Sequence, residues 1–232
     1  MLALAAGALT ARAGLINSSF ETSDFTGWET TGAASIEDGS FTAPTDGLYQ
    51  AFMNSSTGSV PADALSAFFG VASLPGNDAG PATEGSGILQ TFTLSSGLSL
   101  SFNYKLVTNE GGFFDNAIYV VDGTVTVLGT SDTVAQQPDG VPDYPFGLPY
   151  QTVTVNLSAG THTIGFGAYD TGDTVVDTGL VVDNVGEAVP VPEPSTAMFG
   201  LGLLGLGLWR VARSRRRIQV CPQGGQSQQP GK

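Results

Sequence analysis

The sequence predicts an all-β domain, folded either as a sandwich or as a barrel. Three observations support this prediction: apolar residues recur at every second position, turn dipeptides separate the apolar segments, and helical periodicity is almost absent. The composition agrees, because 32 glycines and 13 prolines accompany a charged fraction of only 12%. A helical bundle would normally carry far more Lys, Arg and Glu.

The candidate strands follow one another between residues 14 and 188. Residues 99–106, S-L-S-F-N-Y-K-L, alternate between polar and apolar, and Val153, Val155 and Leu157 alternate with polar neighbours. Further β-branched and apolar segments lie at residues 88–94, 117–121, 124–128 and 179–182. Turn signals separate these segments at Ser96-Gly97, Asp122-Gly123, Ala159-Gly160 and Gly172-Asp173. We expect about eight to ten short strands.

Two long segments, residues 73–86 and 135–149, are rich in Pro, Gly and Asp and are predicted to be loops at one end of the sandwich. Tyr144, Phe146 and Tyr150 lie in or beside the second loop. Aromatic side chains in such a loop either stack on a sugar ring or pin the loop to the sheet. The sequence leaves both interpretations open.

The first 13 residues have the features of a secretory signal peptide. An apolar stretch at residues 2–9 leads to Ala11-Arg12-Ala13, an A-x-A cleavage pattern immediately before Gly14. The basic residues that usually precede the apolar stretch are absent, so we expect a truncated signal whose true start lies upstream of Met1. Export would place the domain at residues 14–188 outside the cytoplasm.

Three short segments follow the domain in a fixed order. They are Val191-Pro192-Glu193-Pro194, an apolar stretch at residues 195–209, and a basic cluster of Arg210, Arg213, Arg215, Arg216 and Arg217. As a helix the apolar stretch would measure about 22 Å, less than the ~30 Å hydrocarbon core, but Trp209 and the arginine side chains extend it into the interfaces. We expect one short transmembrane helix with the arginines on the cytoplasmic side.

This order of segments resembles the PEP-CTERM sorting signal, here residues 189–217. The resemblance implies an exosortase as processing partner, a membrane protease that removes the anchor and releases or attaches the protein at the surface. It also implies a Gram-negative source, a precursor anchored in the inner membrane, and a mature protein at the cell surface or in an extracellular polysaccharide matrix such as a biofilm. Signals of this kind usually end soon after the basic cluster, whereas residues 218–232 continue here as a tail that we expect to be disordered.

The charge of the domain restricts its partners. Residues 14–190 hold 20 acidic residues and one basic residue, Lys105, for a formal charge of −19. Such a domain repels the phosphates of nucleic acids and attracts cations, so we expect no nucleic-acid partner. The one cysteine, Cys221, lies in the tail, which excludes an intrachain disulfide.

The two ends of the domain carry a second resemblance. Residues 17–28, N-S-S-F-E-T-S-D-F-T-G-W, resemble the start of jelly-roll domains with a galactose-binding-like fold, a group that includes carbohydrate-binding modules. Residues 177–185, D-T-G-L-V-V-D-N-V, resemble the last strand of those domains. The resemblance implies a jelly-roll β-sandwich whose first and last strands are neighbours, with Trp28 in the core.

The same resemblance implies that Glu21 lies close to Asp183. Two neighbouring carboxylates raise the pKa of one of them unless a cation bridges the pair. Some modules of this fold hold a structural Ca²⁺ there, and oxygen ligands suit calcium outside the cell. Glu21 and Asp183 are therefore candidate ligands of a structural calcium, the one cofactor that the sequence suggests. The alternative is that both carboxylates bond loop amides without a metal.

The sequence offers little support for catalysis. Glu110 and Asp115 form a carboxylate pair of the kind that glycoside hydrolysis needs, but so acidic a domain offers such pairs by chance, and a turn cap is the simpler role for Asp115. The only histidine, His162, lacks a G-x-S-x-G partner, and zinc needs more His or Cys ligands. We predict a non-catalytic exported protein, with polysaccharide binding as the first alternative and a secreted hydrolase as the second.

Overall fold

The computed structural model describes residues 14–109, 114–134 and 137–188, which form two sheets and two short helices. The strands are β1 (Glu29–Thr31), β2 (Ala33–Asp38), β3 (Tyr49–Asn54), β4 (Val60–Pro61), β5 (Ala82–Leu94), β6 (Leu98–Thr108), β7 (Asn116–Val121), β8 (Thr124–Thr130), β9 (Phe146–Gly147), β10 (Gln151–Leu157), β11 (Gly160–Thr171) and β12 (Thr178–Glu187). The helices are α1 (Ala62–Phe68) and α2 (Ser131–Val134). Within these ranges no helix is both long and apolar enough to cross a membrane.

The strands confirm the prediction of a jelly-roll β-sandwich. One sheet has the order β1-β5-β11-β7-β8 with β4 beside β5, and the other has the order β10-β6-β12-β3-β2 with β9 beside β6. All strand pairs within the two sheets are antiparallel. The jelly-roll order appears when the eight main strands are numbered from one to eight along the chain: β3, β5, β6, β7, β8, β10, β11 and β12. Across the sheet that contains β3 the order is then one-eight-three-six, and across the other sheet it is two-seven-four-five. That is the jelly-roll order of two interlocked Greek keys.

The first and last strands of the jelly roll, β3 and β12, are neighbours as expected, but the short strand β1 that follows the opening motif is not a neighbour of β12. β12 lies between β6 and β3, whereas β1 pairs with β5 in the opposite sheet. The opening segment still reaches β12, because the Val185 amide donates to the Ser18 carbonyl at 3.0 Å. It reaches β12 as a series of turns, since Asn17, Phe20 and Ser23 have φ values of 50°, 59° and 58°, which an extended strand does not allow.

Alternating side chains from the two sheets fill the interior. The Phe166 ring of β11 lies at the centre, with its centroid 4.8 Å from that of Phe102 on β6 and 6.1 Å from that of Trp28. Trp28 is 6% exposed, packs on Phe20 and donates its indole N–H to the Asn17 carbonyl at 3.1 Å. Its predicted place in the core is confirmed.

Helix α1, which the sequence did not predict, covers part of the outer face of the first sheet. Phe69, at the end of α1, lies on a glycine patch formed by Gly87 of β5 with Gly165 and Gly167 of β11. A Cβ atom on Gly87 would approach the Phe69 ring to 2.4 Å, and one on Gly165 would approach it to 2.8 Å. Because only glycine permits this approach, the patch fixes the position of the helix.

The segment from residue 137 to residue 150 covers the outer face of the second sheet. Tyr144 is buried there against Phe52, with the ring centroids 5.5 Å apart. The Tyr150 hydroxyl donates to the Gln50 side chain. Lys105 on β6 is buried, and its ammonium donates to Asp139 Oδ2 at 2.6 Å. These contacts agree with the interpretation in which aromatic residues pin the loop to the sheet.

Candidate functional site

Asp183 on β12 is fully buried and binds the loop that precedes β3. Its Oδ2 accepts hydrogen bonds from the Thr45 amide at 2.7 Å, from the Thr45 hydroxyl at 2.8 Å and from the Asp46 amide at 2.8 Å. Its Oδ1 accepts the Asn184 amide at 2.7 Å. Burial raises the pKa of Asp183, and these donors oppose the rise because they stabilise the carboxylate.

Glu21 binds the other end of the same loop. Its Oε1 accepts the amides of Leu48 and Tyr49, both at 2.9 Å. Gly47 completes this turn with a φ of +65°, and a Cβ atom there would lie 2.1 Å from the Glu21 carboxyl carbon. The close approach of Glu21 to the loop therefore requires glycine at position 47.

The structure thus brings Glu21 and Asp183 to one loop, at residues 45–49, but gives each carboxylate its own amide donors. Three donors on Asp183 Oδ2 occupy the lone pairs that a metal would use, which matches the alternative without a metal. In the parts of the chain that the structure describes, no group of three or more His, Cys, Asp or Glu side chains is arranged to hold a metal. The calcium assignment to Glu21 and Asp183 stays a prediction.

His162 lies at the start of β11 and is held by two acceptors. Its Nδ1 is 2.7 Å from Asp122 Oδ2, and its Nε2 is 3.0 Å from the Ser158 carbonyl oxygen. An imidazole can donate to both only when both nitrogens carry a proton, so this geometry favours the imidazolium. The hydrogen bond with Asp122 accordingly raises the pKa of His162. Asp122 also accepts the Thr163 amide at 2.8 Å, which fixes the turn between β7 and β8.

A groove of about 390 Å³ opens beside this ion pair, where the edge strands β8 and β10 of the two sheets face each other. Its lining combines hydroxyl, amide and carboxylate groups with apolar side chains: Tyr119, Val121, Asp122, Thr124, Thr126, Val155, Asn156, Leu157, Ser158 and His162. Pockets that bind small ligands have this mixture of an apolar wall and a few polar groups.

Of the proposed hydrolase pair, Glu110 lies outside the described residues and Asp115 is buried between the sheets. Asp115 Oδ2 accepts the Thr178 hydroxyl at 2.9 Å, and Oδ1 accepts the Thr171 amide at 3.2 Å. A third buried carboxylate, Asp170 on β11, was not among the residues that the sequence singled out. The signal was present, since the period of two that places Ile164, Phe166 and Ala168 inside also places Asp170 inside.

The sorting residues, Val191 to Pro194 and the five arginines, lie outside the described residues, as do the predicted signal peptide, transmembrane segment and tail. The family model of the PEP-CTERM protein-sorting motif matches residues 190–217. This segment is a PEP-CTERM sorting motif. The resemblance seen in the Val-Pro-Glu-Pro sequence, the apolar stretch and the arginines is thereby confirmed.

Several solved structures are similar to the chain at low identity. TmCBM61, in complex with β-1,4-galactotriose, is 13% identical over 75% of this chain and 96% of its own, with a TM-score of 0.41. The K1 cleaved adhesin domain of Lys-gingipain from Porphyromonas gingivalis W83 is 16% identical over 74% and 95%, with a TM-score of 0.43. A family 35 carbohydrate-binding module from an environmental isolate is 16% identical over 70% and 92%, with a TM-score of 0.30.

Likenesses at these identities and TM-scores carry no information about what this chain binds or does. The comparison with curated protein sequences finds no match.

Proposed function

We propose that this protein is exported, and that an exosortase processes it at the PEP-CTERM motif and delivers a non-catalytic β-sandwich to the cell surface or to an extracellular polysaccharide matrix. The observation that carries this proposal is the order of the two parts. The last strand of the sandwich ends at Glu187, and the motif begins at residue 190.

The hydrophobic interior of the sandwich, as far as the described residues form it, lies before the motif. All three buried hydrophobic clusters consist of residues between 14 and 188, and the compact unit that holds both sheets ends at Ala188. Removal of the anchor therefore takes no side chain from those clusters. The charge of −19 on residues 14–190 keeps such a released domain soluble outside the cell.

Processing is tested in a Gram-negative host with and without an exosortase. The full chain, behind a complete signal peptide, is followed by intact mass in the membrane and in the medium. We expect an exosortase-dependent product that has lost Trp209 and the arginine cluster. Replacement of Pro192, Glu193 and Pro194 by alanine should block the cleavage, whereas Glu187→Ala, an acidic residue just before the motif, should leave it intact. A mature product that retains Trp209 would overturn the proposal.

Polysaccharide binding is the second candidate function, and the groove between β8 and β10 is the observation that favours it. Its hydroxyl and amide groups suit sugar hydroxyls, and its apolar side chains suit the carbon face of a sugar ring. The fragment 14–188 applied to a glycan array tests this candidate. Thr126→Ala and Asn156→Ala, both in the groove, should weaken any binding, whereas Thr154→Ala, on the same strand as Asn156 but outside the groove, should not. Binding that survives both groove variants would place the ligand elsewhere.

A further inference from the structure

A polar cluster occupies one end of the space between the two sheets. We call it the end cluster and define it as Ser55, Thr108, Asp115, Asp170 and Thr178. Each of these residues is at most 1% exposed. Asp170 lies on β11, and Asp115 directly precedes β7 of the same sheet. In the second sheet, Ser55 directly follows β3, Thr108 ends β6 and Thr178 begins β12.

Most of the end cluster is satisfied by internal hydrogen bonds. The hydroxyls of Thr108 and Thr178 are 2.9 Å apart, and the Thr178 hydroxyl donates to Asp115 Oδ2 at 2.9 Å. The Ser55 hydroxyl oxygen accepts the Thr178 amide at 3.0 Å. These bonds hold the oxygen atoms of three separate strands in one place.

Asp170 is the exception. Both of its carboxylate oxygens are inaccessible to solvent, and neither has a hydrogen-bond partner. The side chain faces the interior because Asp170 lies on the same face of β11 as Ile164, Phe166 and Ala168. The backbone is held there by Thr83, whose hydroxyl donates to the Asp170 carbonyl oxygen at 3.1 Å. A buried carboxylate without a donor or a counter-charge is strongly disfavoured, so this position calls for a further ligand.

The surroundings of Asp170 are uniformly acidic. Burial, followed by the negative charges of Asp115, Asp177 and Glu84, raises the pKa of Asp170 to about 8. The Ser55 hydroxyl opposes this rise and lowers the pKa of Asp170 by more than any one of these charges raises it, although the hydrogen bonds of Ser55 run to Thr178.

Within residues 14–188 no basic side chain is left to neutralise Asp170. Lys105 is the only Lys or Arg between residues 14 and 188, and it is bound to Asp139 and to the Leu148 carbonyl on the outer face of the second sheet. His162, the only histidine, is bound to Asp122. Asp170 is therefore neutralised either by a proton or by a cation from solution.

We propose that Asp170 and Asp115 bind a divalent cation, Ca²⁺, at the end cluster between the two sheets. Two carboxylates balance the charge of the ion, and hydroxyl and carbonyl oxygens of the same cluster are the hard donors that calcium accepts in groups of about six to eight. The choice of calcium rests on the proposed extracellular location, where this ion is available. Mg²⁺ fits less well because it gives up its water shell reluctantly, and a closed interior has no space for that shell.

The proposal is tested by titration of the fragment 14–188, which contains the three buried hydrophobic clusters. The fragment is stripped with EDTA, dialysed and kept at constant ionic strength so that charge screening does not imitate binding. Calorimetric titration with CaCl₂ should show one strong site. Because the ion binds only the folded state, a hundredfold excess over Kd should raise the Tm by about 5–10 °C. MgCl₂ should raise it less.

Three carboxylate-to-amide variants locate the ion. Asp170→Asn removes a ligand charge without a change of shape and should weaken calcium binding by at least about tenfold. Asp183→Asn, the matched change at the position where the sequence predicted calcium, should leave the affinity unchanged. Asp63→Asn on the exposed side of α1 controls for the change in net charge.

Two results would overturn the proposal. The first is a wild-type Tm that is identical in EDTA and in CaCl₂, because an ion that binds only the folded state must raise the Tm. The second is calcium binding that Asp183→Asn abolishes and Asp170→Asn preserves. The exosortase assay does not depend on calcium, so the two proposals can fail separately.

Discussion

Glu21 and Asp183 bind opposite ends of one loop: Asp183 accepts the amides of Thr45 and Asp46, and Glu21 accepts those of Leu48 and Tyr49. Glu21 belongs to the opening segment of the domain and Asp183 to its last strand. The loop between them therefore joins the two ends of the domain, which are far apart in sequence.

We expect Asp183→Asn to lower the free energy of unfolding by about 1.5–3 kcal/mol, because an amide group accepts fewer of the four hydrogen bonds and carries no charge. Glu21→Gln should cost about 1 kcal/mol, since this side chain is exposed. Urea unfolding of the fragment 14–188 measures both. Asp46→Asn, an exposed aspartate on the same loop, should change the stability by no more than about 0.5 kcal/mol.

The same two variants test the calcium prediction for Glu21 and Asp183. A carboxylate that binds only amides loses the same stability in EDTA as in Ca²⁺, whereas a calcium ligand shows its full loss only when Ca²⁺ is present. Because amide and hydroxyl donors already surround Asp183 Oδ2, we expect equal losses in the two buffers. A larger loss in Ca²⁺ would establish a metal at this pair.

The ion pair of His162 and Asp122 should make stability depend on pH. The hydrogen bond to Asp122 raises the folded-state pKa of His162 above its ordinary value of about 6.5, so the contribution is complete below that pH and is lost as the pH rises through the folded-state pKa. Burial raises the pKa of Asp122, but the hydrogen bonds from His162 and Thr163 lower it by more, so the net shift is downward. The contribution of Asp122 to stability is therefore lost only when the pH falls through its lowered folded-state pKa. Asp122 is about half exposed, which limits the effect to about 1 kcal/mol.

This prediction is checked by NMR, because the single histidine gives one set of ring signals. In wild type these signals should titrate at a higher pH than in Asp122→Asn. The difference in unfolding free energy between wild type and His162→Gln should be largest below the ordinary pKa of about 6.5 and should shrink as the pH rises through the raised folded-state pKa of His162. Identical titration of wild type and Asp122→Asn would contradict the role assigned to this pair.

Asp139→Asn should destabilise the domain by about 2 kcal/mol. The Lys105 side chain is 3% exposed, although that of Asp139 is 51% exposed, and the ammonium would keep its charge while it loses its carboxylate partner. Lys105→Met, which removes the charge and retains the apolar stem, should stay closer to wild type. Thermal unfolding compares these variants with Asp143→Asn, an exposed aspartate on the same loop. Equal effects of Asp139→Asn and Asp143→Asn would show that the buried ion pair contributes no stability.

Trp28→Ala should cost about 3–5 kcal/mol, because it opens a cavity beside Phe20 and Phe166. Trp28 is the only tryptophan in the fragment 14–188, so its fluorescence should be blue-shifted in the folded state and shift to the red on unfolding. Trp28→Phe should retain any glycan binding, since the indole faces the core. A loss of glycan binding in a folded Trp28→Phe fragment would contradict this placement.

The strands that the sequence predicted best are those with strict alternation. Leu100, Phe102 and Leu106 occupy the apolar positions of the alternating segment 99–106, and all three are buried. The start of β5 at Ala82 was missed because Gly85 and Gly87 have low β-propensity. Gly87 is required by the Phe69 ring on α1, a contact between residues far apart in sequence. Asp170 was missed because a polar residue is not expected in a core, although the alternation along β11 puts position 170 on the interior face.

The sequence by itself determined the class of fold, the acidic charge of the domain and the sorting motif, because these depend on local periodicity, composition and the linear order of segments. Only the tertiary structure decided which groups meet. Glu21 and Asp183 could be paired from the resemblance of two motifs, but their amide donors on residues 45–49 depend on the path of a loop. The alternation along β11 places Asp170 inside, but its position near Asp115 depends on the pairing of β11 with β7, which no local pattern encodes.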